Sequence, residues 1–271
     1  MSTFNTLNVF AIGASRNIGY LTAIRLLEKG ATVTLLLRSK SVFDGDQVMQ
    51  RFVQSGQARL VQGDGLKQED VRRAWAAAGD VDVLLFTVGG IPSFSVTKGF
   101  IQTPHNLVTQ CLLNVVCTMP TSQAPKIIAC SSTGLSPVAH KALPLPMRLL
   151  YNWIEQPHND KLAMERVISH LAGWRWGYEN NVEADRAILP QGWEQLPGLP
   201  AEGSHKKVLV VRPAFLTDGK SVADEKEPGY RYSEHDLPSC YTISRADISH
   251  FLVKALSEWD QMQGKRINVG Y

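Results

Sequence analysis

The chain has no long apolar run. No stretch reaches the roughly 18 residues that a membrane helix needs, so no membrane partner is expected. It lacks a secretory leader as well. The N-terminus, MSTFNTLNVFAIGAS, has neither a basic n-region nor a cleavage site, which predicts a cytoplasmic protein. Cysteine is scarce: Cys111, Cys117, Cys130 and Cys240 form no CxxC, and none has a histidine at zinc spacing. Three of them lie in apolar stretches, as expected of buried, reduced thiols with no metal site. A stripe of basic residues is also missing. The net charge is only +3, the pI about 8.6, and the densest pairs, Arg72-Arg73 and Lys206-Lys207, stand alone. Nucleic acid is therefore not an expected partner. There is no internal repeat and no Ser/Gly linker. With 271 residues, 44% hydrophobic and 20% charged, the chain reads as one globular domain over residues 1–271.

What is present is an alternation. Asn8–Ile12 is a short apolar run that stops at Gly13. Gly19–Glu28 follows with Leu21, Ile24 and Leu27 at helical spacing, and Gly30 ends that helix. Ala31–Leu37 is apolar and rich in β-branched residues, hence a buried strand. Strands over Arg59–Gln62, Val81–Val88 and Lys126–Cys130 are separated by helices over Gln68–Ala78 and from Pro104 to Cys117, the latter with Thr103 as its cap. A helix over Asp160–Leu171, a strand over Lys207–Val211, a helix over Ser244–Trp259 and a strand over Lys265–Val269 complete the reading. Ser244 and Asp247 are expected to form a capping box. Continuous apolar strands alternating with amphipathic helices imply an α/β fold, a doubly wound parallel sheet with helices on both faces. Its ligand is then expected at the carboxyl ends of the strands.

Residues 173–206 break the pattern. Trp174, Trp176 and Trp193, three of the six tryptophans, fall in this irregular insertion among glycines and prolines. Aromatic faces there suit either a lid over a flat apolar substrate or simply a small core of the insertion itself.

The strongest motif is Gly13-Ala14-Ser15-Arg16-Asn17-Ile18-Gly19, placed between the first strand and the first helix. A tight turn there aims backbone N–H groups and a helix N-terminus at a pyrophosphate, and side chains would block the approach. Gly13 supplies the turn and Gly19 the close helix–strand packing. Arg16 or Asn17 replaces the middle glycine, and Asn tolerates the left-handed backbone best. This is a Rossmann-type dinucleotide loop.

An acidic residue ending the second strand would bind the ribose of NAD. Here Arg38 stands in that place, followed by Ser39 and Lys40, with Arg16 in the loop itself. Guanidinium groups suit a 2′-phosphate, so NADP(H) is the expected cofactor. Asp64, after the third strand, could meet the adenine amino group or cap its own turn.

Together with that loop, Gly63-Asp64, Thr87-Val88-Gly89-Gly90, Ser131-Ser132, Arg212-Pro213 and Ile243-Ser244-Arg245-Ala246-Asp247 resemble an atypical short-chain dehydrogenase/reductase. The branch it resembles includes biliverdin reductase B-like flavin reductases and NmrA-like proteins. The resemblance covers residues 8–170 and 207–271. It implies that Val88, Gly89, Ser131 and Pro213 line the dinucleotide alongside Gly13, Ser15, Arg16, Asn17, Ile18 and Gly19. It also implies a Ser, and a Tyr four residues before a Lys, at the reacting end, where the Tyr gives a proton and the Lys holds the nicotinamide ribose.

Lys161 matches that Lys and Ser132 that Ser, but Pro157 occupies the Tyr position and has no proton to give. Tyr151 and His158 are the alternative acids, and His158 titrates in the useful range. Water or substrate could also supply the proton. Phe215 is a candidate substrate contact. The expected activity is NADPH-dependent reduction of a carbonyl or conjugated double bond in a small, cyclic or aromatic molecule, by a monomer or homodimer. A dinucleotide-sensing regulator of NmrA type, or an isomerase or cyclase that keeps NADP as scaffold, stands against it.

Overall fold

The computed structural model describes residues 4–90, 93–95, 99–135, 153–176, 183–226 and 228–271. Seven apolar runs become strands of one eight-stranded sheet: β1 (Asn8–Ile12), β2 (Thr32–Leu37), β3 (Ala58–Gln62), β4 (Val83–Phe86), β7 (Lys126–Cys130), β8 (Val208–Pro213) and β12 (Lys265–Gly270); the eighth, β10 (Arg231–Ser233), is a short polar strand that the sequence pattern does not announce. The order across the sheet is β10-β12-β8-β7-β4-β1-β2-β3. All neighbours are parallel except β10, which runs antiparallel on β12. The chain winds outward from β1 to β3, returns to β4 on the other side of β1, and winds outward again. That reversal opens a crevice at the carboxyl ends of β1 and β4.

Seven helices cross over among the described residues: α1 (Asn17–Glu28), α2 (Gln47–Gln54), α3 (Gln68–Ala78), α4 (Leu107–Cys117), α5 (Glu155–Ala172), α6 (Arg245–Ser257) and α7 (Trp259–Met262). The strands explain why both faces are covered. Val9, Ala11, Val33, Leu35, Val83 and Leu85 face the layer of α1 and α6, whereas Phe10, Ile12, Leu36, Leu84 and Phe86 face the layer of α3, α4 and α5. Each such Val, Leu, Ile or Phe side chain, fully removed from water, contributes about 1.5–3 kcal/mol. Trp75 of α3 is buried edge-on against Phe10, with ring centroids 4.8 Å apart, and donates its indole N–H to the Val115 carbonyl. Two small strand pairs lie outside the main sheet: the antiparallel β5 (Ser93–Ser95) and β6 (Gly99–Ile101), and the parallel β9 (Phe215–Thr217) and β11 (Thr242–Ser244). None of the described helices is long and apolar enough to cross a membrane.

Several boundaries differ from expectation, each for a local reason. The fourth strand spans only Val83–Phe86; beyond it, the Thr87 N–H still bonds the Ile12 carbonyl at 2.9 Å as the chain leaves the ladder. Thr103 and Pro104 do not start α4, which begins at Leu107 after Asn106. Its N-terminal N–H groups are capped from another helix. Asp160 of α5, fully buried, accepts from Val108 N at 2.7 Å and Thr109 N at 2.9 Å, and its backbone carbonyl takes the Thr109 hydroxyl. α5 starts at Glu155, five residues earlier than expected, because Pro157 fits the first helical turn, where its missing N–H has no intrahelical partner to lose. Asp160 therefore sits inside α5 and does not cap it. Ser244 caps α6 by accepting from Asp247 N, but the short Asp247 side chain does not reach back to Ser244 N, which donates to the Tyr271 hydroxyl instead.

The described part of the insertion packs on the outer side of α4 and α5. Ala184, Ile188, Leu189 and Trp193 are buried in that layer, and Trp193 meets His170 edge-on at 5.2 Å. Arg166 lies over both Trp176 and Trp193, and Arg266, near the amino end of β12, lies over Trp174 at 4.3 Å. The stretch closes at the amino edge of the sheet, where His205 bonds the Pro125 carbonyl. Its three tryptophans thus lie against arginines, with Trp193 and Trp174 joined to the hydrophobic layer of α4 and α5.

Burial raises the Asp160 carboxyl above the usual carboxylate range, against the pull of its bonds to Thr109, Val108 and Gln102. Asp160→Ala would orphan two helix N–H donors in the interior. A loss of about 2–5 kcal/mol is expected, read in urea unfolding as a lower midpoint at unchanged m-value.

Candidate functional site

The glycine loop sits at the crevice. Gly13 has φ +83°, and a Cβ there would come within 2.6 Å of the Thr87 carbonyl oxygen. At Gly19 a Cβ would lie 2.6 Å from the Gly13 carbonyl oxygen and 2.7 Å from the Ala14 Cα. The two glycines let β1, the loop after β4 and α1 meet backbone to backbone. Asn17 carries φ +53°, so the replacement of the middle glycine falls on Asn17, while Arg16 is extended at φ −167°. A cradle that admits no Cβ, opening a helix N-terminus, suits the pyrophosphate of a dinucleotide. Ile18 turns inward to the α1 layer; Ser15 is half-buried and Arg16 exposed.

Along the same edge, Arg38 and Ser39 leave β2 exposed to solvent, with no carboxylate at the end of that strand. The Ser39 hydroxyl accepts from Ser41 N at 3.2 Å and caps a short 3-10 turn. Asp64 takes the turn-capping option open to it: Oδ1 accepts from Leu66 N at 3.0 Å. Val88 and Gly89 follow Thr87 after β4, half-buried and exposed.

The other candidates gather at the carboxyl end of β7. Ser131 is buried and its carbonyl accepts from Lys161 Nζ at 2.7 Å. The Ser132 hydroxyl lies 3.4 Å from His158 Nε2. Pro213, ending β8, accepts from Thr133 N at 2.9 Å and so holds the loop that carries both serines. Tyr151 lies outside the described residues.

His158 and Lys161 are three residues apart on α5 and share a face. That spacing, one position off the Tyr-x-x-x-Lys pattern, brings His158 to Ser132 although Pro157 cannot serve.

Sequence reasoning passed over Glu165. It is fully buried, one turn after Lys161, and receives the Ser131 hydroxyl together with Arg212 Nε at 3.0 Å and Nη2 at 2.6 Å. Burial pushes its carboxyl up, but the Arg212 charge and hydrogen bonds, the Ser131 hydroxyl and Arg266 outweigh it and hold the carboxyl below its usual range. The available signal was an acid four residues after the candidate Lys, with an Arg ending a buried strand. Gln102 was also missed; it donates to Asp160 and ties β6 to α5. Among the described residues no group of three or more His, Cys, Asp or Glu is placed to hold a metal ion.

Residues 13–176 match a family described as NAD(P)H-binding. A reductase of Aspergillus terreus, pytE, is 30% identical over 156 residues, which are 56% of this chain and 50% of that protein. The chain thus spans about half the length of this curated relative. The fold is shared with a short-chain dehydrogenase of Burkholderia cenocepacia solved with NADP, at TM-score 0.58 and 18% identity over 97% of this chain and 95% of the other. A short-chain dehydrogenase of Streptomyces avermitilis gives TM-score 0.60 at 15% identity, over 98% and 88%.

The left-handed backbone at Asn17 generates a direct test. Asn17→Gly is expected to keep stability and dinucleotide affinity. Asn17→Val forces a β-branched residue into that conformation and should cost about 1–2 kcal/mol or more, seen as a lower thermal midpoint.

Proposed function

The chain belongs to the NAD(P)H-binding family of Rossmann-fold, oxidoreductase-like proteins, and from this premise we propose that it is an NADPH-dependent reductase. Its substrate is a small cyclic or aromatic organic molecule with a carbonyl or conjugated double bond. One observation carries the reading. The exposed arginines, the glycine loop and the Ser131–Ser132–His158–Lys161 group lie along a single sheet edge, at the ends of β2, β1 and β7 with β4 between. Three strand spacings of about 4.8 Å separate β2 from β7, a row long enough for an extended dinucleotide.

On this reading each group has a task. Arg38 and Arg16 bind the 2′-phosphate, which a carboxylate ending β2 would repel. Gly13, Asn17 and the N-terminus of α1 receive the pyrophosphate. NADPH, when bound, supplies the hydride. Lys161 gives one N–H to the Ser131 carbonyl and keeps two for the ribose hydroxyls beside the nicotinamide. Ser132 orients the substrate oxygen, and His158 gives a proton to the oxygen or carbon that gains charge. The identity to a reductase supports the reaction class, and a fold shared with a dehydrogenase solved with NADP supports the cofactor.

Pro157 in the place of the usual Tyr favours a second reading, a dinucleotide-binding sensor with no turnover. Oxidation of NADPH, followed by absorbance against a panel of cyclic enones and quinones, separates the two.

The first test is calorimetry with NADPH and NADH. NADPH is expected to bind at least about tenfold tighter, and Arg38→Ala to abolish that preference, as loss of a charge-assisted phosphate contact of about 1.5–3 kcal/mol requires. Equal affinity for the two dinucleotides in wild type sinks the NADPH assignment. Once a substrate is found, Lys161→Ala and His158→Ala should each lower kcat by about 10²–10⁴-fold.

A further inference from the structure

Glu165 has no contact with solvent, yet it is held ionised directly behind the site. Its partner Arg212 is itself nearly buried, with 12% of its side chain exposed. A buried ion pair is a poor source of stability, because desolvating both charges offsets most of their attraction. The position of this pair points to another use. His158, Lys161 and Glu165 are spaced i, i+3, i+7 and form one stripe along α5.

That stripe meets the two serines after β7 at three points. His158 approaches the Ser132 hydroxyl, Lys161 takes the Ser131 carbonyl, and Glu165 takes the Ser131 hydroxyl. The Ser131 N–H donates to the Val211 carbonyl at 2.7 Å, so every polar atom of Ser131 is bound. Arg212, the penultimate residue of β8, grips both oxygens of Glu165 with two N–H groups, the arrangement that fixes a carboxylate in orientation as well as place.

We propose that Glu165, oriented by Arg212, is a positioning residue. By fixing the Ser131 hydroxyl it sets the carbonyl that aims Lys161 and the register of Ser132 against His158. It acts through Ser131 and touches neither dinucleotide nor substrate. The proposal rests on the reductase reading above, since it assigns Lys161 to the nicotinamide ribose.

Two ligands separate this role from a merely structural one. NADPH reaches Lys161; adenosine 2′,5′-bisphosphate carries only the adenosine end and does not. In Glu165→Gln and in Ser131→Ala, NADPH affinity should fall roughly tenfold, while affinity for the bisphosphate stays within about twofold, since only the nicotinamide end loses a charge-assisted contact. Lys161→Ala should show the same selective loss. The double variant Lys161→Ala with Glu165→Gln should lose no more than Lys161→Ala alone, because both changes remove one interaction.

Equal loss for both ligands, no loss for either, or additive losses in the double variant would overturn the positioning role. If Glu165→Gln does not fold, Ser131→Ala decides alone, since it removes only the hydroxyl: selective loss supports the proposal, and uniform or absent loss overturns it. Wild type that binds neither ligand takes down the reductase reading, and this inference with it. Wild type that binds both, with uniform loss in the variants, overturns the inference only.

Discussion

Between β1 and β4 the chain must leave one sheet edge in two directions within a single strand spacing, and the backbone contact made there constrains the rest. Gly13 turns in the left-handed region hard against Thr87 and Val88, and Gly19 lets α1 close over the turn. Nothing larger than a hydrogen fits at either position. Because that contact is closed, α1 begins right at the crevice. Because the winding reverses there, the ends of β2, β1, β4 and β7 form one continuous row. Arg38 after β2 and the serines after β7 are brought into line by sheet order, and Lys161 joins the serines from α5.

α5 ties that row to the interior. It carries two buried carboxylates on different sides. Asp160 caps α4 from outside that helix, and Glu165 reaches beneath the sheet edge to Ser131 and Arg212. Their carboxyls are shifted in opposite directions. Asp160 is ringed by backbone N–H groups and a neutral amide, so burial dominates and raises it. Glu165 faces a guanidinium, which reverses the effect of burial. The same helix presents His158 and Lys161 to the loop after β7, so the placement of both side chains depends on how firmly α5 is seated. The insertion contributes to that seating: Trp193 against His170 and Arg166 over two tryptophans brace the outer side of α5.

Much of this was legible in the order of residues. Alternating apolar runs and amphipathic segments gave the doubly wound sheet, because a parallel strand buried on both faces has to be apolar throughout. The loop Gly13–Gly19 was readable because steric exclusion leaves few residue types able to occupy it, and Arg38 because charge at a strand end is a local property. The small strands β5, β6, β9, β10 and β11 were not legible, since three residues carry no periodicity. The start of α4 was misread for a related reason: Thr103 and Pro104 are good local signals, but the cap that governs comes from Asp160, more than fifty residues away.

By itself, then, the sequence determined the sheet class, the dinucleotide loop, the basic residues ending β2 and the candidacy of Lys161 and His158. Each of these is written in neighbours along the chain. Only the tertiary structure decided that the middle-glycine position belongs to Asn17, that Asp64 caps its own turn, that the tryptophans of the insertion stack on arginines, and that Glu165 stands behind Ser131 with Arg212. These depend on which surfaces meet when sheet and helices close, and the desolvation that makes a buried charge consequential exists only once they have.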